Sequence, residues 1–364
     1  MSLFAHLSVV PDRRQNINKK HDLIDVIFLV FSAVLSGATG WKAIEVFGDA
    51  QLDWLRHHRA FGNGVPRRHC IANIVKGLDT DALMQALFGW INERRKLAGK
   101  GTIAIDGKTM RRAWQEDVQK ALHVVSAYDV EHGVALYQQA AQSKGEEIKL
   151  ARNIIDVVAA KGKIMTLDAL HCQSETLHRI AEKKSDYIVG VKANQKTLHE
   201  WVQQAFCATY EVSGTATHEQ VNRGHGREER RVVMQIPAHL PPELKTRWSS
   251  IRSLIEVSSE RTEKGQTYFD SRWYVSSLEI DAQRVAQAIR DHWQIENGLH
   301  WVLDVAFKED ATAITDPEGA KHVALINRIA LSVIRQHQQT KESVNSKRNR
   351  AAWSAPFRDQ LIFG

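Results

Sequence analysis

The chain has only three cysteines, Cys70, Cys172 and Cys207, and no C-x-x-C pair. So few and so widely spaced a set excludes a disulfide framework and fits a reducing compartment, so the cytoplasm is the expected location. Prolines number seven, no stretch is low in complexity, and no segment repeats at a fixed period. Those absences argue against wholesale disorder and against a repeat solenoid. Long apolar runs are missing too. The longest, Leu23 to Leu35, is interrupted by Asp25 and falls short of the ~20 apolar residues a membrane-spanning helix needs. It reads as a buried core helix, and no membrane partner is expected. Met1 to Val10 leads straight into charged residues without a secretion pattern, so no export is expected.

What is present is enough apolar sequence for two or more cores: 364 residues, 43% hydrophobic and 25% charged with both signs mixed. The net charge of +7 favours a polyanion partner, weakly. From His21 to Arg95 apolar residues recur at helical spacing, as in Leu23, Val26, Ile27, Val30, Phe31 and Val34. The Phe61 to Pro66 loop interrupts this helical domain. Around the loop, Arg56, Arg59, Arg67, Arg68 and Lys76 give a local +5 with no acid between them. Such a stretch either follows a phosphate backbone or is a solvated loop.

At Lys100 and Gly101 the pattern changes to short apolar runs: Thr102 to Ile105, His123 to Tyr128, Val134 to Tyr137, Ile164 to Leu167 and Tyr187 to Val191. These read as strands. Helical stretches at Glu147 to Ala160 and Ser174 to Glu182 separate the later ones. An antiparallel start followed by strand–helix alternation predicts an α/β fold with a ribonuclease-H-like mixed sheet. After a helix at Gln195 to Phe206, the runs Val232 to Ile236, Ser253 to Val257 and Trp273 to Ser277 predict a β-rich insertion. From Asp281 the helical period returns for some 25 residues, and a further helix is expected over Ala320 to Ile334.

Two carboxylates close apolar strands, Asp106 after Thr102 to Ile105 and Asp168 after Ile164 to Leu167. A third, Glu296, falls on the inward stripe marked by Val285, Ile289, His292, Leu299 and Leu303. One such acid is more often a cap or an ion-pair partner. Three are better explained by a divalent cation, and hard oxygen ligands suit Mg²⁺ or Mn²⁺. The pairs His69-Cys70 and His171-Cys172 do not complete a four-ligand zinc spacing.

The segments Ala104-Ile105-Asp106-Gly107-Lys108, Thr166-Leu167-Asp168-Ala169-Leu170-His171-Cys172-Gln173 and Trp293-Gln294-Ile295-Glu296-Asn297, with Leu299-His300-Trp301-Val302-Leu303-Asp304-Val305 following, resemble insertion-sequence transposases of the ISAs type. That group includes the H-repeat-associated proteins found with Rhs elements. The resemblance covers nearly the whole chain. It implies a DDE enzyme in which Asp106, Asp168 and Glu296 hold two metal ions, acting on double-stranded DNA at insertion-element ends and target. A homodimer is a candidate assembly. The expected organisation is a helical transposase-associated domain over 1–98, the catalytic domain over 99–207 and 280–335, the β-rich insertion over 208–279 and a basic tail over 336–364. The rival is a catalytically silent DNA-binding relic of such an element, and an unrelated metal-dependent nuclease comes third.

The sequence also departs from the family pattern. Pro66-Arg67-Arg68-His69-Cys70 stands where members usually carry Pro-Ser-His-Asp-Thr, and Lys144-Gly145-Glu146-Glu147-Ile148 where they carry Lys-Ser-Asn-Glu-Ile. Met110-Arg111-Arg112-Ala113 replaces the usual Leu-Arg-Gly-Ser. His292 or His300 would touch the scissile phosphate, or both would cap or pack the core. Asp304 would support the metal ligands from behind. Lys192 and Asn194, after the last sheet strand, would contact DNA or form a turn with a helix cap. Arg67 and Arg68 in the loop and Lys347 and Arg348 in the tail are the expected contacts to the DNA backbone.

Overall fold

The computed structural model describes residues 2–94, 101–110, 122–141, 143–207, 214–224 and 227–364. In chain order it begins with helices α1 (Leu3–Leu7), α2 (Leu23–Leu35), α3 (Gly40–Ala50), α4 (Leu52–His58), α5 (Arg68–Lys76) and α6 (Thr80–Arg94). Strands β1 (Thr102–Thr109), β2 (His123–Asp129) and β3 (Val134–Ala141) follow, then α7 (Glu147–Val157), β4 (Ile164–Leu167), α8 (Ser174–Glu182), β5 (Asp186–Val191) and α9 (Lys196–Cys207). Next come β6 (Ala216–Gly224), β7 (Arg227–Pro237), α10 (Pro242–Lys245), β8 (Ser253–Glu263) and β9 (Gln266–Ser276). The chain ends with α11 (Ala282–Gln294), α12 (Trp301–Ala306), α13 (Pro317–Gln336), α14 (Val344–Trp353) and α15 (Ala355–Phe363).

The chain divides into two compact units. The first contains Met1–Ala98, Gly107–Leu150 and Glu296–Gly364, and the second Gly99–Asp106 and Ala151–Ile295. In the first unit, α2 starts where the Asp22 carboxylate accepts the N–H groups of Ile24 and Asp25, and every helix residue but Ile24 is buried. A helix apolar all round belongs at the centre of a bundle. No single helix among the described residues is long and apolar enough to cross a membrane. The one charge on the buried surface of α2, Asp25, is satisfied by Arg59 Nε and the Phe61 N–H, both at 2.9 Å. The second long helix, α13, is opened by Asp316, whose carboxylate accepts the Gly319 N–H, with Pro317 at the first turn. Met110, Leu122 and Val124 pack with Ile314, Ala320 and Ala324 from this helix and the segment before it.

Strand order in the first unit runs β3-β2-β1, with β2 and β3 antiparallel. In the second it runs β1-β4-β5-β9-β8-β7-β6, with β1, β4 and β5 parallel and the rest antiparallel. Strand β1 is common to both, giving a mixed set of nine strands with flanking helices. The first five lie in the ribonuclease-H-like order that the alternating runs predict. Helix α11 packs Val285, Ala286, Ala288 and Ile289 on Ile164, Ile188, Val233 and Ile255 of the sheet.

Three expectations need correction. Strand β6 was not expected, because Ala216–Gly224 has no apolar run. Its ladder to β7 is instead reinforced by bidentate Arg230–Glu219 bonds at 2.7 and 3.0 Å. The long C-terminal helical stretch does not run through, because a π-turn at Ile295–His300 separates α11 from α12. A wide turn shifts the helical phase, so Ile295, Leu299 and Leu303 stay buried while Glu296 is exposed rather than on the inward stripe. Arg335 of α13 donates to the Gly298 carbonyl in this turn. Finally, the basic end of the chain, expected as a DNA-binding tail, is folded: α14 and α15 are packed helices with buried faces.

Candidate active site

The two predicted aspartates follow neighbouring parallel strands. Strands β1 and β4 pair Thr102 with Ile164, Ile103 with Met165 and Ala104 with Thr166. Asp106 and Asp168 each stand two residues beyond the Ala104–Thr166 pair, Asp106 still on β1 and Asp168 just past the end of β4. Both close their strands' apolar portions at the C-terminal edge, where parallel α/β sheets place their sites. Neither acid is entombed. Asp106 is half-buried, and the side chain of Asp168 is 51% exposed.

The loop after Asp168 is held by the second unit's own groups. Asp168 Oδ1 accepts the Leu170 N–H at 3.0 Å, capping a 3₁₀ turn at Ala169–His171. Asn194 donates its amide to the Ala169 carbonyl at 2.7 Å, so it secures this turn. Lys192, two residues earlier, is exposed. Nδ1 of half-buried His292 on α11 lies 3.0 Å from Oγ1 of Thr166, two residues before Asp168. Burial of its ring pulls the imidazole down to about 4 against the opposing charge of Asp168. The Thr166 contact ties α11 to β4, and Glu296 follows His292 by one helical turn.

In the first unit, β1 continues past Asp106 with a support on each face. On one face a Cβ at Gly107 would come within 2.5 Å of His123 Nε2 and 2.8 Å of the Glu147 carboxyl carbon. The buried His123–Glu147 pair, at 2.8 Å, fills that space, and His123 Nδ1 also meets Thr109 Oγ1 at 2.9 Å. On the other face the buried Lys108 ammonium lies 2.6 Å from Asp304 and 2.8 Å from Asp310. Burial raises the Asp304 carboxyl, with Lys108 opposing. His300 is buried in the same unit. Sequence reasoning missed the supporting parts of Lys108, His123 and Glu147 in the first unit and of Thr166 in the second. The glycine between an aspartate and a lysine was the available signal.

As for a metal, Asp106 and Asp168 present oxygen donors that fit a hard cation. Among the described residues, no three His, Cys, Asp or Glu side chains stand together as a ready metal-binding group. Cys172, in one of the two His-Cys pairs, is buried and its thiol is pushed up to about 12.

The predicted DNA contacts divide. Arg67 and Arg68 are exposed, Arg67 reaching Glu45 at 3.2 Å and Asp49 at 3.4 Å. Acids from elsewhere also meet Arg59 (Asp22 and Asp25) and Lys76 (Asp316), so the local +5 of the sequence is largely neutralised in three dimensions. Lys347 and Arg348 are a correction. Lys347 donates to the carbonyls of Ile334 and His337. Arg348 donates to those of Ala306 and Val34, with its guanidinium 4.0 Å from the Phe307 ring centre. Both are buried and committed to helix ends, so neither faces a phosphate backbone.

Residues 97–333 match the family described as transposase DDE domain, and residues 4–91 match the family described as DDE_Tnp_1-associated. This chain belongs to the transposase DDE domain family. The putative transposase YncI of Escherichia coli O157:H7 is 34% identical to this DDE chain over 99% of it and 94% of the relative. The H repeat-associated putative transposase YhhI of Escherichia coli K12 is 31% identical over 100% and 98%. Among solved structures, a chain of a piggyBac transposase synaptic complex with hairpin DNA aligns at a TM-score of 0.49 and 11% identity, over 100% of this chain and 78% of its own. The DDE transposase family generally uses a divalent metal.

Proposed function

We propose that this chain is a DNA transposase that cuts and rejoins phosphodiesters at the ends of an insertion element, with Asp106, Asp168 and Glu296 holding divalent cations. The observation that carries the reading is that Asp106 and Asp168 each stand two residues beyond the Ala104–Thr166 pair of the parallel β1–β4 ladder, in a chain that matches the transposase DDE domain family. Mg²⁺ or Mn²⁺ bound there would supply Lewis-acid activation of the attacking and leaving oxygens. The chain's part is to present the two aspartates at the ends of the apolar portions of β1 and β4. Glu296, exposed and one turn beyond the His292–Thr166 bond, is the proposed third ligand. Duplexes taken from DNA flanking the reading frame should be cut at the element end when Mg²⁺ or Mn²⁺ is added. Binding without cutting under either metal would favour the silent relic instead.

DNA contact is proposed for the exposed loop arginines. R68A should weaken duplex binding and flatten the plot of log affinity against log salt by about 1, the share of one phosphate contact. R348A should leave that slope alone and lower the melting temperature, since it removes a buried donor. An unchanged slope in R68A would make the loop ordinary solvated surface.

A further inference from the structure

We propose that Lys108 is a positioning residue, a buried cation that holds the strand carrying Asp106 and the helical segment carrying Glu296 in one arrangement by gripping Asp304 and Asp310. The inference rests on the metal-site reading above. Lys108 lies two residues beyond Asp106 on β1, so both side chains leave the same face of the strand. Asp304 lies two helical turns beyond Glu296, on α12, and Asp310 lies in the turn that follows. The ammonium reaches both carboxylates, at 2.6 and 2.8 Å, and only 7% of its side chain is exposed.

That geometry distinguishes Lys108 from a phosphate contact. An ammonium has three donor directions, and two of them are taken by carboxylates within the same unit. The acids outnumber it, so the charge it carries is already matched before any DNA arrives. The long aliphatic stem is buried as well, which fixes where the head can go. On the opposite face of β1, the His123–Glu147 pair at Gly107 blocks any side chain larger than hydrogen. The strand end that presents Asp106 therefore has little freedom to shift, and the Lys108 grip passes that constraint to the segment presenting Glu296.

The test is a double-mutant cycle with K108M, D304N and the pair, each first checked for native circular dichroism and melting. K108M and D304N should each lower the cleavage rate at saturating element-end DNA by about 10²-fold, the effect of a misplacement of roughly 1 Å. The DNA concentration for half-saturation and its salt slope should not change. Mn²⁺ binding, followed by electron paramagnetic resonance without DNA, should weaken by about tenfold or more, as when a support behind a metal ligand is removed. The pair should be no worse than the poorer single variant, because both changes break one contact, and K108R should recover part of the loss. Should K108M fail to fold, D304N carries the test, since Lys108 then keeps Asp310. A folded K108M with parental rate and Mn²⁺ affinity overturns the proposal. So does a salt slope flattened by about 1, which would mark a phosphate contact, and so do additive losses in the pair. If the parent binds Mn²⁺ but leaves DNA uncut, the transposase reading fails while the Mn²⁺ titration still decides the role of Lys108. A parent that takes up no Mn²⁺ overturns both.

Discussion

E296Q should cut element-end DNA ~10³-fold more slowly than the parent, or slower still, in the presence of Mg²⁺ or Mn²⁺. The substitution keeps the side chain's shape and removes one negative charge from the proposed ligand set. Loss of metal-supported stabilisation of the transition state is worth several kcal/mol, and about 1.4 kcal/mol corresponds to each factor of ten. Glu296 is exposed at the start of the π-turn, so removing its charge should leave folding and DNA binding as they are. An electrophoretic assay on labelled duplex would separate the two effects. A Gln variant that binds and cuts like the parent would show that Glu296 is not the third ligand.

The second large effect concerns stability. Arg328 on α13 and Glu309 are both fully buried and meet at 2.9 Å. Arg328 also donates to the Ala324 carbonyl and Ser126 Oγ, and Asn327 donates to Glu309. R328M should destabilise the first unit by about 3–5 kcal/mol, because it leaves a buried carboxylate without its cation. The double substitution R328M/E309L should recover much of that loss, since two apolar groups replace two charges that no longer need solvating. Urea unfolding followed by circular dichroism would measure both. If R328M unfolded at the parental midpoint, the pair would contribute nothing that its apolar surroundings do not.

Patterns set by the local chain were legible in the amino-acid order. The Leu23 to Leu35 run reads as a buried helix because no polar face interrupts it, and α2 is that helix. The runs ending at Asp106 and Asp168 read as strands because three apolar residues and a β-branched threonine in each suit burial on both faces, and both are strands of the parallel portion. The family resemblance carried on the three acidic motifs agrees with the match over residues 97–333. Other features depended on partners distant in the chain. The charge at Arg59, Arg67 and Lys76 could be counted, but the acids that answer it come from Asp22, Glu45, Asp49 and Asp316. Lys347 and Arg348 look like a basic tail until α14 packs and helix-end carbonyls take their donors. Glu296 follows the buried stripe at a period of 3.6, and the π-turn displaces it because Arg335 and Gly298 stabilise a wider turn there. Periodicity and burial are local consequences of residue order. Charge partners and helix phase are fixed by contacts made across tens to hundreds of residues, and those exist only once the chain has folded.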